Sequence, residues 1–260
     1  VRGESNALRE RPLPVRLAHR TVLRLYDAYL AIGEANRDFY LGYGVPPDRV
    51  FRVPYFVDNE RFARQADEAA PRRDQLRGRW DVSPDATCFL FAGKLEPKKR
   101  ILDLVAAVEL ARERGTSLHL LVVGSGEELE AARERAAGLP VTFAGFLNQT
   151  EITDAYVAAD CLVLPSDFGE TWGLVVNEAM ACGLPALVSD RVGCAPDLIS
   201  EDETGFVFPF GEVPALAERL VELSGDAGRL RRVGRAALDR VGEYSVDAAV
   251  EGTLEALERV

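Results

Sequence analysis

From residue 87 onward, short apolar runs alternate with stretches in which apolar residues recur at helical spacing. The apolar runs predict six strands, at residues 87–92, 117–123, 141–144, 161–164, 186–189 and 205–208. Helical periodicity lies between and after them, at residues 101–114, 127–137, 150–158, 174–182, 195–199 and 213–223. This alternation favours parallel strands joined by right-handed helical crossovers. We therefore predict an α/β fold with a doubly wound, parallel, six-stranded sheet.

The two ends of the chain differ from this pattern. Residues 230–241 and 246–257 predict two helices without a strand of their own. The opening residues predict a helix at 15–26, a strand at 28–32, a short helix at 35–43 and a strand at 50–53. Because two strands do not make an independent sheet, we interpret residues 1–62 as the end of a preceding domain whose beginning is absent. Residues 63–86 are interpreted as a polar linker with a short helix, and residues 87–260 as the main domain.

Charge and composition narrow the function classes. The formal net charge of −11 argues against nucleic-acid binding, since a phosphate backbone calls for a basic surface, and favours a small-molecule ligand. No apolar run reaches the roughly 18 residues that a membrane-spanning helix needs, and no signal-peptide pattern is present, so we expect a cytoplasmic location. The four cysteines lack metal or disulfide spacing and indicate core positions.

Residues 166–185 hold the densest group of candidate site residues. The segment follows a predicted strand, contains a glycine-flanked loop and then begins a short helix, which Gly183 and Pro185 end. Gly173 stands where a ligand reaches the first helical turn. An anion there meets free backbone N–H groups and the positive end of the helix dipole.

Two carboxylates of this segment, Glu170 and Glu178, are eight residues apart. On one continuous helix they would point about 80° apart, so we assign them separate roles. Glu170 is placed in the loop beside a reaction centre, and Glu178, one turn into the helix, can accept hydrogen bonds from a ribose diol. The alternative is that Glu178 caps or forms an ion pair and that Glu170 is a solvated loop residue.

Two further loops follow predicted strands. Residues 93–100 contain four basic side chains, among them Lys94, Lys99 and Arg100, at the end of a buried strand. They form either a diphosphate clamp, which the position at the strand end favours, or a solvated basic loop. Gly124 and Gly126 open the other loop, where Leu129 replaces the third glycine of a dinucleotide fingerprint. The two glycines would let a nucleotide approach the backbone closely, but they do not indicate NAD as the ligand.

No residue pattern indicates a metal or cofactor site. His119 lies inside a predicted strand and His19 in an Arg-rich helix, and neither belongs to a triad or a metal-ligand motif. Asp-x-Asp, a signature of metal–diphosphate binding, is absent. We therefore expect neither a metal nor a cofactor.

Together these motifs resemble family 4 of the retaining glycosyltransferases, whose two Rossmann-like domains form the GT-B arrangement. The similarity extends over about residues 28–210 and combines a Glu-x7-Glu pattern with the lysine loop. Its most specific parts are Phe91-Ala-Gly-Lys94-Leu-Glu-Pro-Lys-Lys99, Val122-Val-Gly-Ser-Gly126, Phe143-Ala-Gly-Phe-Leu147 and residues 165–185. Two positions depart from the family pattern, since Lys94 stands where Arg is common and Arg100 where Gly is common. Lysine keeps the charge there but lacks the two-pronged geometry of arginine.

The resemblance implies a role for each candidate. Glu170 would face the donor sugar near the anomeric centre, and Lys94 and Lys99 would neutralise the leaving diphosphate, so these three are the catalytic candidates. Glu178 would bind the nucleotide ribose. The other donor-binding candidates are backbone groups near the diphosphate, the glycine loop and the loop that contacts the base: Thr171, Gly173, Leu174, Val175, Gly124, Gly126, Phe146 and Leu147.

We therefore expect a retaining, metal-independent transferase that moves a sugar from a nucleotide-sugar to a glycan or lipid-linked acceptor. Fixed cations and a helix N-terminus can stabilise the charge of the leaving diphosphate without a metal. The acceptor-binding domain of this family precedes the donor domain, so we expect this chain alone to bind the donor and to turn over poorly or not at all. A sugar-nucleotide epimerase and a non-catalytic nucleotide-sugar-binding module are the alternatives.

The Arg-rich stretch at residues 9–24 raises one question about partners. Apolar residues are interleaved with its arginines, a pattern that can attract an anionic membrane surface. Peripheral contact with the inner membrane surface is one interpretation. We favour the other, a solvated helix whose apolar side packs on the domain.

Overall fold

The structure is a computed structural model that describes residues 1–3 and 5–260. Its strands in the described residues are β1 (Tyr29–Ala31), β2 (Val50–Arg52), β3 (Thr87–Ala92), β4 (Leu118–Val123), β5 (Val141–Gly145), β6 (Cys161–Leu164), β7 (Ala186–Ser189) and β8 (Phe206–Phe208). Strands β3 to β8 form one parallel sheet in the order β5-β4-β3-β6-β7-β8. The predicted doubly wound, six-stranded sheet is confirmed, and each strand lies within one residue of its predicted bounds.

The strand order reverses at the centre of this sheet. The chain runs outward from β3 through β4 to β5, returns to pair β6 with β3, and then runs outward through β7 to β8. A doubly wound sheet binds its ligands in the crevice beyond the carboxyl ends of the strands at such a reversal. The loops that follow β3 and β6 are therefore the place to look for a site.

Helices cover both faces of the sheet. They are α1 (Leu13–Leu23), α2 (Glu34–Gly42), α3 (Asn59–Ala69), α4 (Arg73–Arg79), α5 (Ile101–Glu113), α6 (Leu129–Arg135), α7 (Ile152–Ala158), α8 (Leu174–Ala181), α9 (Ala195–Leu198), α10 (Val213–Leu223), α11 (Ala227–Val241) and α12 (Val246–Glu258). Side chains of β3 alternate between two cores. Phe89 and Phe91 pack with α5 and α10, whereas Cys88 and Leu90 share a core with α7, α8 and α11.

The segment interpreted as a linker is more helical than predicted. Residues 63–86 include most of α3 and all of α4, and both helices pack against α7. Phe62, Ala66 and Ala69 face inward at helical spacing, and two alanines make a stripe too weak to identify in the sequence. Arg77 of α4 is buried and pairs with Asp160 at 3.0 Å. The domain bounds themselves stay a prediction.

The N-terminal residues form a small unit around the parallel pair β1–β2. Phe39 and Tyr40 of α2 pack with Tyr29 in its core. Helix α1 contacts this unit through Leu23 and through His19, whose ring centroid lies 5.3 Å from that of Phe39. Its other apolar side chains are exposed, so the interpretation that we favoured holds only for the end of the helix. Leu13 and Leu17 are 66% and 57% exposed, and α1 contains no buried residue. Among the described residues, no helix has both the length and the apolar character that crossing a membrane requires.

A joint centred on Asp197 connects the small unit to the main sheet. Its carboxylate accepts hydrogen bonds from the backbone N–H of Glu34, at 3.0 and 3.1 Å, and from the Tyr244 hydroxyl at 3.1 Å. On the other side of β1–β2, α12 packs against β2 so closely that a Cβ on Gly252 would lie 1.9 Å from the Arg52 carbonyl oxygen. The two units are therefore held together by polar capping and by backbone-to-backbone packing.

Candidate functional site

The loops after β3 and β6 meet at the point where the strand order reverses. The backbone N–H of Asp167 donates to the Lys98 carbonyl at 2.9 Å and joins the two loops. Next to this bond, the Lys99 ammonium forms an ion pair with the Glu170 carboxylate, and the two side chains are only 12% and 14% exposed. The topology thus brings two of the three catalytic candidates together, and we name them the Lys99–Glu170 pair.

Main-chain bonds hold Glu170 on both sides. Its N–H donates to the Asp167 carbonyl, and its carbonyl accepts from the Gly193 N–H, both at 3.0 Å. Gly193 lies so close to the loop that a Cβ on it would be 1.9 Å from the Thr171 carbonyl oxygen. The Trp172 carbonyl accepts from the Cys194 N–H at 3.0 Å. The segment from Glu170 to Trp172 is therefore clamped against the β7–α9 loop, which fixes where the Glu170 side chain starts.

Helix α8 begins directly beside this pair. Gly173 precedes it with a φ of 100°, a left-handed conformation that suits glycine. A Cβ on Gly173 would lie 3.0 Å from the Leu164 side chain and 3.5 Å from that of Glu170. The backbone N–H groups of Leu174 and Val175 have no partner within the helix, because the first turn of an α-helix leaves its N–H groups free. The positive end of α8 is thus next to the Lys99–Glu170 pair, and the helix dipole there favours an anion.

A cavity of about 460 Å³ opens on the other side of the first turn of α8. Its walls come from the ends of β3 and β4, the β5–α7 loop and helices α7 and α8, and they comprise Ala92, Gly93, Lys94, Val123, Gly124, Ser125, Phe146, Leu147, Ile152, Tyr156, Val175 and Glu178. Most of these side chains are apolar, and Glu178 supplies a carboxylate. We name this space the α7–α8 cavity.

Glu178 is held in the cavity wall by Tyr156. The Tyr156 hydroxyl, on a side chain that is 1% exposed, donates to Glu178 Oε2 at 2.6 Å. Burial raises the pKa of Glu178, whereas the hydrogen bond from Tyr156 and the positive charge of Arg61 act to lower it. The carboxylate is therefore oriented by a protein donor while it remains part of the cavity wall.

The other basic candidates lie apart from the pair. Lys94 lines the α7–α8 cavity, but its side chain is 80% exposed and its ammonium lies 3.8 Å from the Glu96 carboxylate. Arg100 adopts a left-handed conformation with a φ of 56°, which explains why glycine suits this position. Its guanidinium binds the Asp103 carboxylate at 2.7 Å, away from the Lys99–Glu170 pair. Of the lysines, only Lys99 contacts Glu170.

Close packing against protein backbone explains why glycine stands at positions 124 and 126, whereas the sequence predicted close approach to a nucleotide. A Cβ on Gly124 would lie 1.9 Å from the Gly93 carbonyl oxygen, and one on Gly126 would lie 2.3 Å from the Leu95 carbonyl oxygen. Both glycines therefore allow the β3 and β4 loops to pack backbone against backbone. Gly124 also lines the α7–α8 cavity, and Gly126 does not.

Comparison with known proteins assigns the chain to a family. The family described as "Glycosyl transferases group 1" matches residues 72–240, which include both loops and the α7–α8 cavity. The chain belongs to this glycosyltransferase family. The resemblance seen in the sequence motifs is thereby confirmed.

Curated relatives of this chain agree with the family assignment. The D-inositol 3-phosphate glycosyltransferase of Nocardia farcinica is 31% identical over 98% of this chain and 58% of its own length. The GDP-mannose-dependent alpha-mannosyltransferase of Mycobacterium tuberculosis is 35% identical over 73% of this chain and 46% of its own length. The chain thus spans about half the length of the curated relatives it matches.

Solved structures of glycosyltransferases share the fold. Anabaena HepE in complex with UDP and glucose superimposes over 100% of this chain and 71% of its own, with a TM-score of 0.78 and 18% identity. The sucrose-phosphate synthase of Thermosynechococcus elongatus superimposes over 96% of this chain and 62% of its own, with a TM-score of 0.74 and 25% identity. The predicted Rossmann-like architecture is confirmed by these likenesses.

The candidate site has two parts, and the predicted residues other than Gly126 divide between them. Glu170, Lys99, Thr171, Gly173 and Leu174 lie at the paired loops and the start of α8. Lys94, Gly124, Phe146, Leu147, Val175 and Glu178 line the cavity. In residues 1–3 and 5–260, no group of three or more His, Cys, Asp or Glu side chains is placed to hold a metal ion.

Sequence reasoning missed Tyr156, and it gave no role to Ser166 although residue 166 begins the segment that it singled out. Tyr156 lies 22 positions before Glu178, and the helical periodicity of its segment marks it only as a core residue. The Ser166 hydroxyl lies 3.5 Å from Glu170 Oε2, and this side chain is fully buried. No spacing rule connects either residue to its carboxylate, because the contacts depend on how the strands and helices pack.

Proposed function

We propose that this chain supplies the donor-binding half of a retaining glycosyltransferase, which moves a sugar from a nucleoside-diphosphate sugar to a glycan or lipid-linked acceptor. The observation that carries the proposal is the arrangement of two carboxylates on opposite sides of one helix start. Glu170 is paired with Lys99 on one side, and Glu178 lines an apolar cavity on the other. The three parts of a nucleotide sugar can be placed in this order: the nucleoside in the apolar cavity, the diphosphate at the positive start of α8, and the sugar beside the Lys99–Glu170 pair.

The α7–α8 cavity is suited to the nucleoside. Leu147, Ile152 and Val175 provide an apolar wall for a planar base, and Phe146, which is 76% exposed, lies at the rim. Glu178 can accept hydrogen bonds from the two ribose hydroxyls, since a carboxylate offers about four acceptor positions and Tyr156 uses one. The two charged residues of the cavity wall, Glu178 and Lys94, are assigned to the ribose and the phosphate, so this proposal leaves the base open.

The diphosphate belongs at the start of α8. Breaking the bond between sugar and phosphate builds negative charge on the leaving diphosphate. The free N–H groups of Leu174 and Val175, the helix dipole and the Lys99 ammonium are fixed before the reaction and can stabilise that charge. Lys94, whose side chain is 80% exposed at the cavity wall, can reach the outer phosphate. We infer that these groups allow transfer without a metal.

The Lys99–Glu170 pair belongs at the sugar. Glu170 can accept hydrogen bonds from donor hydroxyls near the anomeric carbon, where its clamped backbone holds it. Lys99 exchanges part of its contact with Glu170 for the diphosphate as the leaving group gains charge. Retention of the anomeric configuration then follows if the acceptor attacks from the face on which the diphosphate departs.

The acceptor side of the cleft is a separate part of the proposal. The curated relatives are about twice as long as the matched part of this chain. We infer that residues 1–62 belong to an acceptor-binding unit and that this chain alone binds the donor better than it transfers the sugar. The name of one relative specifies D-inositol 3-phosphate and that of another specifies GDP-mannose, so neither substrate is assigned to this chain.

The test is donor binding by a variant that lacks one carboxylate. Glu178→Ala should weaken affinity for the nucleotide sugar roughly 10- to 100-fold, as expected for lost hydrogen bonds to a charged group. Glu251→Ala removes the same charge from an exposed position on α12 and should leave the affinity unchanged. Unchanged affinity in Glu178→Ala would overturn the ribose assignment.

A further inference from the structure

The contact between Tyr156 and Glu178 is the only hydrogen bond of the Glu178 side chain that the described residues provide. The phenol donates at 2.6 Å to Oε2, at the short end of ordinary O–H···O distances. Both side chains line the α7–α8 cavity, but the Tyr156 ring is 1% exposed, so its hydroxyl reaches the site only through Glu178. A hydroxyl placed in this way does not serve as a general contact for the ligand.

We propose that Tyr156 is a positioning residue for the ribose of the donor: its hydroxyl fixes the Glu178 carboxylate in the one orientation in which the remaining acceptor positions face the cavity. This inference rests on the proposed function of the same site. A glutamate side chain without such a bond can rotate about three torsions, and ordering it on binding would cost affinity. The buried phenol removes that freedom before the ligand arrives.

The same bond affects the charge of Glu178. Groups that face this carboxyl are Tyr156 from α7, Arg61 from α3 and the Cys182 thiol at the end of α8. Burial acts against the ionised form, and the phenol and the Arg61 guanidinium act in its favour. Ribose hydroxyls donate to an ionised carboxylate, so ligand affinity should fall as the pH drops through the pKa of Glu178. Removing the phenol raises that pKa further and moves the loss of affinity to higher pH.

The chain contains a matched control for removing a buried phenol. The Tyr244 hydroxyl also donates to a buried carboxylate, that of Asp197, at 3.1 Å. Its ring is 2% exposed, close to the value for Tyr156, and it does not line the α7–α8 cavity. Tyr244→Phe also removes a buried hydrogen bond between a tyrosine and a carboxylate, but it leaves the cavity unchanged. It therefore measures the general structural effect of losing such a bond.

The experiment compares two ligands that differ only in the ribose. The probe is whichever of UDP, GDP and ADP binds the chain most tightly, together with its 2′,3′-dideoxy analogue. Tyr156→Phe should weaken binding of the ribonucleotide roughly 5- to 20-fold, part of the value of a hydrogen bond to a charged group. It should leave binding of the dideoxy analogue unchanged, and in a Glu178→Gln background it should have little further effect. Tyr244→Phe should bind both ligands as the parent does.

The outcomes separate this inference from the proposed function. Equal losses for the ribose and dideoxy ligands in Tyr156→Phe would show a general structural role and overturn the inference, while the proposed function would stand. Binding of none of the three diphosphates by the parent chain would instead overturn the proposed function.

If Tyr156→Phe does not fold, the parent chain still provides a test. Its affinity for the ribonucleotide should fall at acidic pH and that for the dideoxy analogue should not, and parallel pH profiles would contradict the inference.

Discussion

The carboxyl of Asp197 should make the stability of this protein depend on pH, and Asp197→Asn should remove that dependence. Asp197 is 5% exposed at the joint between the small N-terminal unit and the main sheet. Its pKa is raised from 3.8 to about 6, and loss of hydration on burial is the largest cause. Hydrogen bonds from the Glu34 N–H and the Tyr244 hydroxyl oppose the rise without cancelling it.

The sign and size of the effect follow from this difference in pKa. The folded state binds the proton more tightly than the unfolded state, so this carboxyl stabilises the fold below pH 3.8 relative to high pH. The stabilisation is lost as the pH rises through about 6. A rise in pKa of about two corresponds to roughly 3 kcal/mol of unfolding free energy across this window. Asparagine has a similar shape, keeps one acceptor oxygen for Glu34 and Tyr244, and carries no charge to desolvate.

Urea unfolding at several pH values between 4 and 8 measures this prediction. The unfolding free energy of Asp197→Asn relative to the parent should rise between pH 4 and pH 6.5 and then level off, by up to about 3 kcal/mol. Asp247→Asn, at an exposed position of α12, controls for the change in net charge. A difference between Asp197→Asn and the parent that is independent of pH would refute the reasoning. A difference that falls as the pH rises would show that the sign is wrong.

Three other predictions concern the site. With an acceptor-binding domain joined to the chain, Lys99→Ala should lower turnover roughly 100-fold or more, the usual effect of removing one group that stabilises transition-state charge. Lys94→Ala, at an exposed side chain, should lower turnover less, and equal rates in the two variants would contradict the distinction. Gly124→Ala should destabilise the fold by more than about 2 kcal/mol in urea unfolding. Gly124 has a φ of 134°, and a Cβ on it would lie 1.9 Å from the Gly93 carbonyl oxygen. Unchanged stability would contradict this structural role and would favour a role in nucleotide binding alone. Transfer activity should persist in excess EDTA, and loss of activity that Mg²⁺ or Mn²⁺ restores would refute metal independence.

The strands of the main sheet could be predicted to within one residue for a physical reason. Parallel strands covered by helices on both faces read as continuous apolar runs, and the loops between them are short and polar. The site loops were located by the same logic, because ligands of such sheets bind at the carboxyl ends of the strands. Glu170 and Lys99 are 71 residues apart along the chain, and their meeting follows from the pairing of β3 with β6.

What could not be predicted depends on side-chain packing between distant elements. Tyr156 has the periodicity of a core residue, and only the folded structure shows that its hydroxyl reaches Glu178. The glycine pair at Gly124 and Gly126 has the spacing of a nucleotide loop, yet its tightest contacts are with protein backbone. Helix α3 presents two alanines among its three buried residues, which is too little apolar area to mark a buried face in a charged segment.

The central claim is that this chain binds a nucleoside-diphosphate sugar in the cleft between the Lys99–Glu170 pair and Glu178. Calorimetric titration of the chain with UDP-, GDP- and ADP-sugars tests it most directly. The account predicts that at least one of these donors binds at a single site, that the corresponding free diphosphate displaces it, and that Glu178→Ala weakens both. Absence of binding by every donor, or binding that Glu178→Ala does not alter, would contradict the account.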